Sequence, residues 1–301
     1  MARAPRRLMS RRATRALGVS LSIVAVILVV LAWALIEPRL LTISTTVVTS
    51  PEVPAAFDGT RIVFVSDVHA GPFFGEKRVA HLVDTINNQR PHLIILGGDY
   101  VGGGADGAEI FYPQAARLEA PYGIVAVLGN HDAWEGSDRA RSELASAGIT
   151  LLENKNARVR VPGAWIRIGG TRDESAGNPD PAKAAADIAK DEYAILVSHS
   201  PDTFAEGLKA VPGAFDLALS GHTHGGQVTL FGLWAPWVPS AYGERYREGW
   251  TEENGVPILT SRGVGVVYVP VRFISVPEIH VIELRQGDAR VEQRPSRLVE
   301  R

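Results

Sequence analysis

The chain of 301 residues contains no cysteine, which excludes disulfides, thiolate metal sites and cysteine nucleophiles and leaves His, Asp, Glu and Asn as metal ligands. Their absence suits an oxidising compartment without requiring one. The body also lacks a basic patch: the formal net charge is −2, and Arg3, Arg6, Arg7, Arg11, Arg12 and Arg15 crowd the first fifteen residues without an acid among them. That balance argues against a nucleic-acid-binding domain. Internal repeats and low-complexity segments are missing, and nothing in the sequence calls for an obligate protein partner. With 46% hydrophobic and 21% charged residues, the chain can bury a full core in one large domain with appendages. Histidine is scarce too, at eight residues, which makes the pair His222 and His224 in SGHTHGGQV, one residue apart between glycines, conspicuous.

Beyond the arginines, Ala16 to Ile36 carries no charge and is long enough, at 1.5 Å per residue, to cross a hydrocarbon core about 30 Å thick. Three readings compete. A buried core helix fits poorly with a run apolar on every face. A cleaved signal peptide is favoured by Ala32-Trp33-Ala34, which has the small-x-small form of a cleavage site, but the run exceeds the usual apolar region of such signals. An uncleaved membrane anchor fits best. Ser10-Arg11-Arg12 resembles the start of a twin-arginine export signal, although Ala13-Thr14-Arg15 lacks the apolar residues expected next. Six arginines before the span against Arg39 close behind it keep the N-terminus in the cytoplasm by the positive-inside rule and send the globular part outward. The expected organisation is a basic segment 1–15, an anchor 16–36, a linker 37–58, a catalytic domain 59–290 and a C-terminal tail 291–301.

From Arg61 onward the sequence falls into apolar runs that each close on polar residues: RIVFVSDVH, HLIILGGD, GIVAVLGNHD, YAILVSHS and FDLALSGHTH. Such runs are typical of strands buried on both faces. Helical patterns at 76–88, 107–118 and 137–147, the last with Ser137 as N-cap and Gly148 as its stop, separate the early ones. Strand and helix in alternation imply parallel strands with right-handed crossovers. Shorter strands are expected at 228–230, 257–260 and 278–284.

In open α/β sheets, ligands bind beyond the carboxyl ends of the strands. The closing residues therefore converge: Asp67 and His69, Asp99, the group Asn130, His131 and Asp132, His199, and finally His222 and His224. Each alone has a bland reading. Asp67-x-His69 suits an Asx turn, Gly97-Gly98-Asp99 a strand exit, Gly129-Asn130-His131-Asp132 a capping loop, and His199 a structural imidazole before a helix. Five strand ends carrying such residues are hard to explain as packing, and the remaining His81, His92 and His280 fall on a helix or strand bodies. The set suits two divalent ions about 3.5–4 Å apart, bridged by a carboxylate, completed by imidazoles and an amide, and sharing a water as hydroxide. His222 and His224 would then face different ions. Mn, Fe, Zn, Co and Ni all fit these ligands.

These blocks, read in order as SDVHAG, GGDYVGG, GNHD, VSHSPD and SGHTHGG, resemble the calcineurin-like metallophosphoesterases. The resemblance implies a four-layered α/β/β/α sandwich with two central mixed sheets, and a phosphoester hydrolase. It implies Asp67, His69 and His224 as ligands of one metal, Asp99 as the bridge, and Asn130, His199 and His222 as ligands of the second. It further implies His131 as the catalytic histidine beside the leaving group, oriented by Asp132. GGDYVGGG has glycines where some members carry a further acid, so accessory acids do not carry over. The segment IEPRL, AFDGTRIVFVSD and the late SRGVGVVYVPVRF are similar to a membrane-associated bacterial branch. Some relatives there cleave the pyrophosphate of UDP-2,3-diacylglucosamine and others are general phosphodiesterases; the sugar-nucleotide lipid is reachable only if the domain faces the cytoplasm.

The leading expectation is therefore a membrane-anchored metal-dependent hydrolase of phosphodiester or pyrophosphate bonds, acting on a substrate that is lipid-linked in one version of this reading. A catalytically inactive binding module would be signalled by a lost ligand, and none is lost. Two features stay open. Leu233 to Tyr246 either walls the site, contacts lipid or covers a sheet edge, and Arg245, Arg247 and Arg262 either bind a second phosphate or form salt bridges.

Overall fold

The computed structural model describes residues 11–104 and 106–299. Arg3, Arg6, Arg7 and Ser10 of the basic segment lie outside the described residues. Helix α1 (Arg11–Ile36) leaves its apolar side chains exposed from Leu17 to Ile36, save Ala34. A helix apolar all round and exposed along nearly its whole length has no core to serve, and this one is long and apolar enough to cross a membrane. A single turn at Glu37–Arg39 then leads straight into strand β1 (Thr42–Ser50).

The next part of the chain alternates: β2 (Arg61–Val65), helix α2 (Glu76–Asn88), β3 (Leu93–Leu96), helix α3 (Asp106–Ala115), β4 (Ile124–Ala126), helix α4 (Asn130–Ser146) and β5 (Thr150–Leu151). A hairpin of β6 (Lys155–Val161) and β7 (Ala164–Gly170) follows, then the short helix α5 (Pro181–Ala184), β8 (Ala194–Val197), helix α6 (Asp202–Ala210) and β9 (Leu217–Ser220). The chain closes with β10 (Gly249–Glu253), β11 (Val256–Thr260), β12 (Glu278–Gln286), β13 (Arg290–Gln293) and β14 (Arg297–Leu298).

These strands form two mixed sheets, ordered β13-β1-β12-β2-β3-β4-β5, with β14 also on β1, and β10-β11-β9-β8-β7-β6. The period-two alternation of each buried strand explains the layering. Ile62 and Phe64 of β2 meet Ile195 and Val197 of β8 in the core between the sheets. Val63 and Val65 point the other way, onto α2, where Val79, Leu82, Val83 and Ile86 fall at helical spacing. On the far side, Leu196 and Ala218 pack on Phe204 and Leu208 of α6. Burial of each large apolar side chain contributes about 1.5–3 kcal/mol, and because both sheets bury both faces, the four-layered sandwich is the arrangement that hides them all. Strands β2, β3 and β4 run parallel, as do β7, β8 and β9, so the ends of both sheets that matter point to one side.

Several expectations need correction. Residues 42–50 are not linker: β1 pairs in parallel with β12, Thr42 with Glu278 through Ser50 with Gln286. Part of the supposed tail, 291–301, is likewise sheet, since β13 and β14 pair antiparallel with β1. Helix α4 begins at Asn130 rather than Ser137, with a break at Gly136 (φ 127°) where two helical pieces meet. Gly148, at φ 71°, ends it as a left-handed cap. Residues 228–230 make only isolated bridges, Val228 with Phe273 and Leu230 with Trp234.

Candidate metal centre

The turns leaving β2, β3, β4, β8 and β9 meet at the carboxyl ends of the two sheets. Backbone bonds zip them together: Asp67 N–H donates to the Gly98 carbonyl (2.9 Å), His69 N–H to that of Asp99 (3.0 Å), and Gly221 N–H to that of His199 (3.0 Å). The Asp67 carboxylate accepts the N–H of His222 (3.0 Å) and so ties the first sheet to the second. Gly221 and Gly129 are required by close approach: a Cβ on Gly221 would overlap Asp67 Oδ2, and one on Gly129 would overlap Asp99 Oδ1. Asp67, His69, Asp99, His222 and His224 all hold positive φ, between 46° and 72°. Left-handed backbone is costly for residues with a Cβ, and its concentration on these five positions marks strain stored at a functional site.

The side chains converge as two groups, linked by a third triad, His69, Asp99 and His131, that shares one member with each. Asp67, His69 and His224 present ligand atoms within 4.8 Å of one another, as do Asp99, His199 and His222. Within the first, His69 Nε2 lies 3.0 Å from His224 Nε2, and His224 Nε2 lies 3.5 Å from Asp67 Oδ1. Within the second, His222 Nδ1 lies 3.2 Å from His199 Nε2. Asp99 Oδ2 is 3.2 Å from His199 Nε2 and 3.5 Å from His69 Nε2, so one oxygen stands between the groups. Asn130 is buried and its Oδ1 has no hydrogen-bond partner. Ring nitrogens facing one another across 3 Å and an orphaned amide oxygen form a donor set that fits divalent cations. These groups could hold metal.

The electrostatics of three of the four imidazoles agree with that use. Burial lowers His69 to about 3 and His222 to about 4, against the pull of Asp99, and it lowers His224 well below its ordinary value, helped by His69 and Arg272. Neutral imidazoles are the ligating form. Burial also opposes charge on His199, but Asp99, Asp67 and Asp173 outweigh it and raise the ring well above its ordinary value. Burial raises Asp67 to about 6, against His199, whereas Asp99 is lowered, because His199, His69 and His131 overcome its burial. Outside the ligands, His199 Nδ1 is fixed by the Gly97 carbonyl (2.8 Å), the kind of outer partner that sets a ligating tautomer.

His131 is half-buried, with its ring edge-on to His69 at 4.6 Å and against Trp134 at 4.8 Å. Asp132 does not orient it. Its carboxylate accepts the N–H groups of Asp99 (2.8 Å), Tyr100 (2.9 Å) and Gly129 (2.9 Å), with Val101 at 3.4 Å. The reason is positional: a carboxylate at the third residue of a helix turns back to the residue capping it. Burial and the Asp99 charge push Asp132 up, to about 7, against those bonds.

A cavity of about 420 Å³ opens over the centre, lined by Asp99, Asn130, His131, His222 and His224 on its floor and by Trp134, Trp237, Tyr268 and Val269 on its walls. Leu233 to Tyr246 is thus in part a wall. The three arginines are occupied by carboxylates: Arg245 by Glu253, Arg247 by Glu244 and Glu248, Arg262 by Glu278 and Glu248. Sequence reasoning missed Arg272, fully buried behind the site, whose guanidinium donates to the carbonyls of Gly265 (2.6 Å), Arg262 (2.8 Å) and Ser275 (2.9 Å) and lies 3.3 Å from His224 Nδ1. Its signal was available: Arg272 is the lone charge between Gly263 and Pro277.

The model of the calcineurin-like phosphoesterase family matches residues 60–226. Metallophosphoesterase YkuE of Bacillus subtilis is 31% identical over 258 residues, covering 83% of this chain and 87% of that protein. Phosphodiesterase YaeI of Escherichia coli is 31% identical over 229 residues, covering 74% of this chain and 82% of its own length. A transmembrane protein with metallophosphoesterase domain from Danio rerio is 28% identical over 247 residues, covering 78% of this chain and 55% of that protein.

Proposed function

The chain belongs to the calcineurin-like phosphoesterases and is a phosphoester hydrolase, and from that premise we propose that it is a membrane-anchored, two-metal enzyme cleaving phosphodiester or pyrophosphate bonds. The observation that carries this reading is the Asp99 carboxylate oxygen, within 3.5 Å of His69 and 3.2 Å of His199. Asp67, His69 and His224 would hold one ion and Asn130, His199 and His222 the other, with Asp99 serving both. When bound, two divalent ions polarise the phosphoryl oxygens and acidify the attacking water. His131, at the cavity floor beside this cluster, donates a proton to the leaving oxygen. The left-handed turns and the glycines beneath them hold the ligands ready, so binding requires little rearrangement. The diesterase preference is supported by the phosphodiesterase named among the relatives.

The domain lies outside the cytoplasm, on the strength of the six arginines that precede the apolar span 16–36 against Arg39 beyond it. A lipid-linked sugar nucleotide of the cytoplasm is then out of reach, and envelope phosphoesters become the substrates. The full chain in detergent, loaded separately with Mn, Zn, Co, Ni and Fe, is assayed on mono-, di- and pyrophosphate esters with metal content measured alongside. Two metal equivalents and diester or pyrophosphate cleavage are expected; one equivalent, or monoester cleavage alone, rejects the proposal. A C-terminal reporter active only in the cytoplasm should stay silent, and its activity would reverse the orientation.

A further inference from the structure

The chain carries no charge from Gln227 to Gly243 and none from Gly263 to Val271. Both segments are loops at the site end of the sandwich, and both are strongly apolar at their surfaces. Phe231 is 84% exposed, Leu233 81% and Tyr268 74%, and Trp234, Trp237 and Val269 are each about half exposed. The loops join laterally, through the bridge of Val228 with Phe273 and the edge-on rings of Trp237 and Tyr268, 6.4 Å apart. An apolar surface this continuous is a binding surface.

What covers it is indicated by α1. The end of that helix is bonded to the same loop: the Ala34 carbonyl accepts the N–H of Arg272 (3.0 Å). The Glu37 carboxylate accepts Ile274 N–H (2.9 Å), Ser275 N–H (2.6 Å) and the Trp33 indole N–H (2.7 Å). The apolar helix therefore leaves the domain at the face that bears the loops and the cavity. Phe73 and Ile274 are exposed as well; Phe73 lines a pocket with Leu35, Val266 and Pro270, and the Ile274 N–H donates to Glu37. Aromatic and aliphatic side chains without charge, beside the end of a membrane-spanning segment, match the interfacial belt of a bilayer in composition and position.

We propose that the loops 228–242 and 266–274 form a collar that dips into the interfacial region of the phospholipid bilayer, turning the mouth of the cavity onto the membrane surface. This rests on the membrane-anchor reading of α1. The cavity is then fed from the lipid–water boundary, and esters whose phosphate sits at headgroup depth reach the metal ligands without leaving the leaflet. The walls Trp237 and Tyr268 belong to both the cavity and the collar, which gives the substrate a continuous apolar path from leaflet to site.

The cysteine-free sequence makes the test direct. Single variants Phe231→Cys, Leu233→Cys and Tyr268→Cys of the full chain are labelled with an environment-sensitive fluorophore and reconstituted into vesicles of phosphatidylcholine and phosphatidylglycerol. Val24→Cys reports on the anchor. Arg160→Cys, exposed near the β6–β7 turn at the opposite end of the second sheet from the site, reports on water. The collar labels are expected to shift to the blue, to lose accessibility to aqueous iodide, and to be quenched by lipid nitroxides placed about 5–10 Å below the headgroups, while the Arg160 label does none of these. A water-accessible collar with a lipid-quenched Val24 label overturns the collar and leaves the anchor standing. A water-accessible Val24 label overturns the anchor itself. Collar labels shielded from iodide yet unquenched by lipid nitroxides indicate coverage by protein, a second copy included, and also refute the proposal.

Discussion

Replacing Asp132 by alanine removes the acceptor for the N–H groups of Asp99, Tyr100 and Gly129, at 2.8, 2.9 and 2.9 Å, and for the weaker donor Val101 at 3.4 Å. The residue is buried, so no bulk water stands ready to replace it. A buried donor left unsatisfied costs about 1–3 kcal/mol. Three strong bonds lost together, moderated by a water entering the space, amount to roughly 3–6 kcal/mol, since such terms are not additive. Against a total stability of about 5–15 kcal/mol, that is a large fraction. With a urea m-value at the upper end of about 1–3 kcal/mol/M, the unfolding midpoint should fall by roughly 1–2 M. Metal content should fall with it, because the freed Asp99 and Gly129 backbones position the Asp99 carboxylate between the two candidate ligand groups. Urea titration, metal analysis and turnover are measured on one preparation. A large loss of turnover with the midpoint and the metal content unchanged would mean that Asp132 acts through His131 after all, and would refute this account.

Other perturbations separate the remaining roles. His131→Ala should keep both metals and lose about 10²–10⁴-fold in turnover, the usual contribution of a proton donor; metal loss in this variant would make His131 a ligand instead. Asp99→Asn should lose metal, read by elemental analysis, and full occupancy would show that the bridge is dispensable. Gly221→Ala should lower metal content through displacement of Asp67, since its Cβ has no room; an unaltered metal stoichiometry would disprove that crowding. Burial raises Asp216 to about 6, against the N–H of Ala194 it accepts. The folded state therefore holds this proton more tightly than the unfolded chain, and the group costs stability above pH 6 that is recovered as pH falls toward its ordinary value near 4. Asp216→Asn should then be more stable than the parent at pH 7, with the difference shrinking toward pH 4; a gap independent of pH would rule this out.

The convergence of the candidate ligands was legible because chemistry and topology coincide in them. A strand buried on both faces must be a run of Val, Ile and Leu, and in parallel sheets the residues that close such runs gather at one edge, so RIVFVSDVH or YAILVSHS announces both a strand and its ligand. Strand β1 escaped because TISTTVVTS is built from small hydroxyl residues around a short apolar stretch, a composition shared with linkers. Nothing local distinguishes the two, and its partners β12 and β13 are remote in sequence. The role of Asp132 was misread for a related reason. Adjacency in sequence suggested a partner for His131, whereas helical geometry aims neighbouring side chains apart. Gly136 hid the true start of α4 by interrupting its pattern. The collar was visible as composition only, because whether an aromatic loop covers protein or faces outward depends on elements far along the chain.

The placement of β1 also sets an order of events in time. Ser44, within a few residues of the anchor, bonds to Glu278, 234 residues on. At about 5–20 residues per second of synthesis, the strand next to the membrane waits on the order of 10–50 s before its neighbours exist. With α1 in a membrane as proposed, an unpaired β-edge sits at the bilayer throughout that interval, the kind of edge that recruits other chains. A ribosome stalled or a chain cut before residue 278 would leave every candidate metal ligand made and the first sheet still open beside α1, so the last strands act as the latch whose arrival ends the vulnerable period.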